Sequence, residues 1–438
     1  MSETETNARR VLLLEGPTTP FFKILANAFA AHGVPVSAVT LNLGDRLRGP
    51  KGARPYRGRL ENFGDWLAAH VAREGITDIL YYADRVPYHR IAARVAGDAG
   101  ILAYAIENGY LRPDWVTLEP FGMGAFSRFP TDPDAIRAAG DAPAPDRTVR
   151  HAHPFHTEAI AEVTYVLTRL AGRIAYPHFV LDRRYHPFVE YYGWIRQLIT
   201  EGHRGKAADA GVAALTAGER PFFLLPLQLA DDYQIRHNSR FRRFQTFLEE
   251  VLTSFADHAP ADAALAVKTH PLDHGLRAWP AVIRALAAER GIADRVIILE
   301  GGDLGALLAH TRGCVLINST VGLTALRAGV PLHVAGAAVY DCVGLVDRQP
   351  LDTFWTAPSA PDAELFDAFE RALARFTQVK GSLYEPQGMR RAAGEIAARV
   401  VARIGADPFF QNPPPRLSRA RAMGVPVDLA ELETHLPQ

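Results

Sequence analysis

The chain has 438 residues, 48% of them apolar, which suits two or three domains of roughly 100–200 residues and is too much for one core. Lys plus Arg and Asp plus Glu each total 48, so formal net charge is zero and no global field gathers nucleic acid or an acidic membrane, although local basic patches stay open. The two cysteines, Cys314 and Cys342, have neither CxxC nor His-rich spacing, which argues against a disulfide framework or structural zinc and fits a reducing cytosol.

The opening MSETETNARR is polar and carries no secretory signal, and no stretch approaches the ~18 apolar residues of a membrane-spanning helix. A cytoplasmic protein is expected, soluble or peripheral on the inner face of the cytoplasmic membrane.

In chain order, VLLL (11–14) reads as a strand, EGPTTP as a loop, and FFKILANAFAAHG as a helix whose Phe22, Leu25, Ala26 and Phe29 recur at helical spacing before Gly33. VSAVTLN, ITDILYYA and ILAYAIE follow as strands, separated by the helices FGDWLAAHVAREG and YHRIAARVAGDAG. Residues of about 130–165 are rich in Pro, Ala, Asp and Arg without a clear period and read as a long loop. The alternation restarts with PFFLLPLQ and continues through AALAVKTH, RVIILEG, GCVLINS and PLHVAG, with helices between.

Alternating strands and helices predict an α/β chain of two Rossmann-like domains facing a central cleft, which by analogy of fold is a GT-B-like architecture. The expected division is 1–175 for the first domain, 176–215 for an interdomain helical segment, 216–400 for the second domain and 401–438 for a C-terminal tail. Within the middle segment, Arg183, Arg184, Tyr185 and His186 stand among aromatics, as snorkelling arginines of a helix or as a surface for an anionic lipid head.

Several strand ends carry polar groups. In LLPLQLADDYQI, an apolar strand stops at Gln228 and runs into Asp231 and Asp232, which also suit a polar loop or a helix cap near Arg240. AVKTHPLDHG brings Lys268 and His270 out of another strand, and Pro271 turns His270 away from helix; a lysine there neutralises phosphate, or is simply solvated. VLINSTVGL places Asn318, Ser319 and Thr320 before a helix with Gly322 in its first turn, an arrangement that serves an anion or ordinary helix capping. AIENGYLRPDW sets Glu107, Tyr110 and Arg112 around an Asn-Gly turn, a mixture that suits a sugar or carboxylate and also describes a surface loop with an aromatic anchor. EGPTTPFF lacks GxGxxG and GK[ST], so neither a nicotinamide nor an ATP site is expected there. LADDYQ imitates a DxD metal motif, but no metal is expected.

In order, LLLEGPTTPFF, LNLGDR, YRGRLENF, GITDILYYADRVPYHRIA, ENGYLRPDWVTLE, PLQLADDYQI, SFADHAP, VKTHPLDHG, INSTVGLTAL and GLVDRQPLDTFW resemble the capsule polysaccharide synthesis proteins of the KpsS/LipB type, over roughly residues 10–385. The resemblance implies a retaining β-Kdo glycosyltransferase that uses CMP-Kdo and starts the Kdo linker on an anionic, phosphatidylglycerol-type glycerophospholipid. It implies Asp232 as the active-site carboxylate with Gln228 and His270 beside it. Lys268, Asn318, Ser319, Thr320 and Gln234 would contact the donor's phosphate and carboxylate, and Gly16, Glu107, Tyr110 and Arg112 would lie on the acceptor side. It also implies association with a capsule biosynthesis or export complex, no resident cofactor and no nucleic-acid partner. IENGY departs from the family pattern by having Asn108 where a second acid is expected, which bears on acceptor identity.

Retention through a protein nucleophile requires two displacements, with a carboxylate forming and then releasing a glycosyl-enzyme ester. The competing readings are a non-catalytic capsule export or assembly component built on the same fold, and a transferase with another donor such as CMP-sialic acid or a UDP-sugar.

Overall fold

The computed structural model describes residues 9–153, 155–180, 207–218, 220–230, 232–271, 273 and 278–427. Asp231, the Arg183–His186 group and residues 428–438 lie outside the described residues.

Among the described residues, twelve strands form two sheets. The first contains β1 (Val11–Leu14), β2 (Val36–Thr40), β3 (Arg54–Pro55), β4 (Asp78–Tyr82), β5 (Leu102–Asn108), β6 (Trp115–Pro120) and β12 (Gln378–Lys380), ordered β12-β6-β5-β4-β1-β2-β3. The second contains β7 (Phe222–Pro226), β8 (Ala264–Lys268), β9 (Val296–Leu299), β10 (Cys314–Leu316) and β11 (Leu332–Val334), ordered β11-β10-β7-β8-β9.

The second sheet is parallel throughout, and the first is parallel except where β6 runs against β5 and β12. Every residue of β7 and β8 is buried, as expected of parallel strands covered on both faces by helices. The two Rossmann-like units inferred from alternation are therefore present.

Three expectations change. The stretch of about 130–165 is not one loop: it holds the helices Pro133–Ala139 and Phe155–Ala171. The first begins where Asp132 accepts the Ala135 N–H at 2.9 Å, and it buries Ile136 in the same core as Phe129, Leu365 and Phe369. The expected surface loop AIENGYLRPDW ends in a strand at Trp115: β6, WVTLEP, buries all four side chains from Val116 to Glu119.

The third change concerns the end of the second domain. Residues 378–401 belong to the first: β12 pairs antiparallel with β6, Val379 opposite Val116, and helix Pro386–Val401 packs on helix Phe21–Ala31. Met389, Ala392, Ala393, Ile396, Ala397 and Val400 share one core cluster with Phe21, Phe22, Leu25 and Phe29, where the alanines allow close approach of the two helices. A boundary near residue 376 fits the packing, in place of the expected 400.

Nor is the C-terminal part a loose tail as far as it is described. The buried Arg416 guanidinium donates to the carbonyls of Phe129, Pro130, Ala338 and Val339, so it ties this segment to both halves of the molecule. The two cysteines are free thiols, both buried. No helix among the described residues is long and apolar enough to cross a membrane.

Candidate active site

In the second sheet the chain runs from β7 to β8 and β9 on one side, then returns to β10 and β11 on the other, so the crevice opens between the carboxyl ends of β7 and β10. Gln228 follows β7 and Asn318 follows β10. Their side chains meet reciprocally: Gln228 Nε2 donates to Asn318 Oδ1 at 2.9 Å, and Gln228 Oε1 accepts the Asn318 backbone N–H at 3.1 Å. This half-buried pair fixes both loops at the mouth of the crevice.

Beyond Asn318, Ser319 Oγ accepts the Val321 N–H at 3.2 Å, and the Ser319 carbonyl accepts the Tyr340 hydroxyl at 2.6 Å. Ser319 is thus the residue that caps this turn, while Thr320 makes no side-chain cap bond to helix Val321–Arg327. Gly322 allows the close fit, since a Cβ there would stand 2.5 Å from the Tyr340 ring.

Asp232 is part-buried and caps a short helix, Tyr233–Asn238, that was not anticipated; its Oδ1 accepts the Gln234 N–H at 2.9 Å. The cap therefore serves a helix one residue away, not the later helix Phe244–His258. Burial raises the Asp232 carboxyl above the usual range, against the Gln234 N–H and the charges of Arg112 and Arg236.

The helix behind Asp232 reaches across to the first sheet. Tyr233 donates its hydroxyl to Glu107 Oε2 at 2.7 Å, and Glu107 Oε1 accepts from Tyr82 at 3.0 Å and from the Asn108 N–H at 3.1 Å. Gln234, expected to face the donor, spends its amide inside this network: it donates to Tyr233 at 2.7 Å and accepts from Asn238 at 2.6 Å. Asn238 in turn accepts the Ala125 N–H at 2.9 Å. Tyr233 and Asn238 were missed because their partners lie more than a hundred positions away.

Lys268 ends β8 and is buried; burial lowers its pKa, and the charge of Asp303 opposes that. His270, two residues on, has its pKa lowered to about 4 by burial and by the positive charges of Arg112 and Lys268. It is therefore a neutral imidazole at pH 7, with one donor and one acceptor nitrogen. Burial also raises Glu107, which Tyr233, Asn108, Arg112 and Tyr82 counter.

Arg112 acts electrostatically on Asp232, Glu107 and His270 alike, and its Nε donates to the Gly109 carbonyl at 3.2 Å. The charge of Arg112 thus reaches Asp232, Glu107 and His270, and that of Lys268 reaches His270, with Gln228 and Asn318 paired at the mouth of the crevice. Such a set can hold a dianionic leaving group and present a carboxylate to an electrophilic carbon.

Two acceptor-side candidates sit elsewhere. Tyr110 donates to Glu119 Oε1 at 2.7 Å, and its backbone N–H is held by Gln378 at 2.8 Å, so its polar atoms are spent inside the interdomain packing. Glu119 also accepts from Ser127, and its burial pushes its pKa up to about 7. Gly16 follows β1 against the Phe22 ring, where a Cβ would come within 2.8 Å.

The residue before it, Glu15, belongs to a second polar cluster that the sequence did not reveal. It lies between the carboxyl ends of β1 and β4, where the first sheet reverses its strand order. Asn42 donates to Glu15 Oε1 at 2.9 Å, and His89 Nε2 stands 3.6 Å from Glu15 Oε2. Tyr165 of helix Phe155–Ala171 joins through Asn42 at 2.9 Å, and Arg169 adds positive charge. Desolvation raises Glu15 to about 7 and lowers His89 to about 4. Among the described residues no group of His, Cys, Asp and Glu is arranged to hold a metal ion.

Comparison with known proteins identifies the family. Residues 77–384 match the family described as capsule polysaccharide biosynthesis protein. The capsule polysaccharide export protein KpsS of Escherichia coli is 32% identical over 86% of this chain and 97% of its own length. The capsule polysaccharide modification protein LipB of Neisseria meningitidis serogroup A is 32% identical over 86% of this chain and 92% of its own. The solved structure of Thermosulfurimonas dismutans KpsC, described as a β-Kdo 2,7 transferase, aligns over 90% of this chain and 99% of that one, with TM-score 0.44 and 16% identity. The extent of the family match and the identity to KpsS and LipB along nearly their whole length show that this chain belongs to the capsule polysaccharide biosynthesis family.

Proposed function

We propose that this protein is a retaining β-Kdo glycosyltransferase that moves Kdo from CMP-Kdo to a (lyso)phosphatidylglycerol-type lipid, beginning the poly-Kdo linker of a capsular polysaccharide. The observation that carries the reading is the 2.7 Å bond from Tyr233, the residue after Asp232, to Glu107 at the end of β5, which sets the Asp232 loop of the second unit against the first, within reach of the charge of Arg112. Family membership supports the capsule context.

In the proposed first step an Asp232 oxygen attacks the anomeric carbon of Kdo while the bond to the CMP phosphate breaks and the electron pair leaves with CMP. Lys268 and Arg112 offset the phosphate charge, and the raised pKa of Asp232 makes its carboxylate a better nucleophile than an ordinary aspartate. In the second step the lipid hydroxyl attacks the same carbon from the opposite face, the ester to Asp232 breaks, and the neutral His270 imidazole takes the hydroxyl proton. Two inversions give net retention. The scheme needs no metal.

The test is purified Asp232→Asn with CMP-Kdo and a lysophosphatidylglycerol acceptor. Transfer is abolished while calorimetry still shows CMP binding, and wild-type transfer proceeds unchanged in EDTA. Near-normal turnover by Asp232→Asn overturns the assignment. A panel of CMP-Kdo, CMP-sialic acid and UDP-sugars, read by nucleotide release, tests the donor.

A further inference from the structure

The loop between β2 and the sheet edge at β3 carries a feature that the cleft does not use. Residues 46–59, RLRGPKGARPYRGR, contain Arg46, Arg48, Lys51, Arg54, Arg57 and Arg59 and no acid, in a chain whose net charge is zero. All of these cations are exposed except Arg48, which is part-buried.

The same region carries most of the exposed apolar bulk. Six large apolar side chains are exposed among the described residues, and four lie here: Ile174 at 95%, Leu47 at 64%, Ile160 at 60% and Leu167 at 46%. Ile160 and Leu167 are two turns apart on one face of helix Phe155–Ala171, and Ile174 follows in the next turn.

These pieces form one surface. Arg48 donates to Thr164 of that helix at 2.7 Å, and Arg57 lies over the Tyr176 ring at 5.8 Å. Helix Leu43–Arg48 packs so closely on the turn after Ala171 that a Cβ at Gly172 would lie 2.3 Å from that of Leu43. Of the nearby acids, Asp45 is buried, Glu61 pairs with Arg59 at 4.0 Å, Glu158 pairs with His153 at 3.7 Å, and Glu162 of the helix is half-buried and faces the charge of Arg48.

We propose that this face docks on an anionic lipid bilayer, with the arginines at the headgroups and Leu47, Ile160, Leu167 and Ile174 in the interface. A cluster of cations beside unpartnered aliphatic side chains is the combination that a negatively charged leaflet attracts and retains. A protein partner of acidic character would satisfy the cations but leave the isoleucines in water or against charge. The inner face of the same helix supplies Tyr165 and Arg169 to the Glu15 cluster, so the docking face and the crevice at the end of β1 are two sides of one element.

This inference rests on the lipid-acceptor reading for its purpose, but it is measured without donor or turnover, so the two fail separately. The experiment is co-sedimentation of the full chain with vesicles of phosphatidylcholine alone and of phosphatidylcholine mixed with phosphatidylglycerol, at low and high salt. Binding is expected only to the mixed vesicles, and high salt weakens it. The triple change Arg46→Gln, Lys51→Gln and Arg59→Gln lowers the partition roughly a hundredfold, at about fivefold per cation. Ile174→Ser alone lowers it about tenfold. These side chains are exposed, so the variants keep the wild-type melting midpoint and nucleotide-release activity on a short-chain, water-soluble acceptor. Equal binding to both vesicle types, unchanged binding by the variants, or retention of RNA but not of mixed vesicles overturns the proposal.

Discussion

Tyr233→Phe isolates the contact that joins the two halves at the cleft. The phenol donates to the Glu107 carboxylate at 2.7 Å, and a hydrogen bond to a charged group contributes roughly 1.5–3 kcal/mol. The ring itself is retained, so the loss is confined to the hydroxyl, whose other bond, accepted from Gln234 at 2.7 Å, cancels in a double-mutant cycle with Glu107. Burial raises the Glu107 pKa while the bond from Tyr233 lowers it, so its removal moves the pKa further up. The sign follows from the folded pKa already lying above its ordinary value: stability tied to Glu107 is present at low pH and is lost as pH rises through the folded pKa. Removing a donor to the ionised form therefore costs more at pH 8 than at pH 5. The assay is a double-mutant cycle of Tyr233→Phe with Glu107→Gln, read by denaturant unfolding at both values. A coupling of about 1–3 kcal/mol at pH 8, smaller at pH 5, is expected, and the acid limb of the pH–rate profile shifts upward in Tyr233→Phe. A coupling below about 0.5 kcal/mol, or the same loss at both pH values, refutes the latch.

Glu119→Gln tests burial as the cause of the other raised acid. Glu119 titrates at about 7 in the fold against 4.5 in its reference state, so its contribution to stability fades as pH rises from about 4.5 to 7, by roughly 3 kcal/mol in all. The amide carries no charge to desolvate, so the variant gains on wild type in denaturant midpoint at pH 8 relative to pH 5; a pH-independent difference counts against the assignment. Gly322→Ala places a methyl 2.5 Å from the Tyr340 ring, costs about 1–3 kcal/mol, and raises the Kd for CMP by displacing the Ser319 turn; calorimetry showing wild-type affinity would separate that turn from donor binding.

The parts of the site that the sequence discloses share a property: each is punctuation at the end of an apolar parallel strand. Gln228, Lys268 and Asn318 follow runs such as FFLLP, ALAVK and CVL, and strand ends in such sheets are where ligands are met. What pairs with them was illegible. Tyr233 finds Glu107 at a separation of 126 positions, and no local pattern encodes that distance. Glu119 stands in WVTLEP, where alternation points to an outward acid, yet it is fully buried and accepts from Tyr110 and Ser127. The same blindness hid the return of 378–401: QVK is too short and too polar to read as a strand until β6 offers it an edge. Asp232 shows both sides, since its place after a strand was readable and its duty as a cap depended on an unforeseen turn of helix.

That return has a consequence for the order in which the molecule assembles. Strand β6 is translated by residue 120, yet the strand that covers its outer edge is made only at 378–380, after the entire second sheet. The helix that seals Phe21, Phe22 and Phe29 is later still. A nascent chain therefore emerges from the ribosome with a complete second unit and an unfinished first one, its β6 edge unpaired and open to wrong pairing. Truncation anywhere before residue 401 leaves the amino-terminal half, not the carboxyl-terminal one, without its closing pieces.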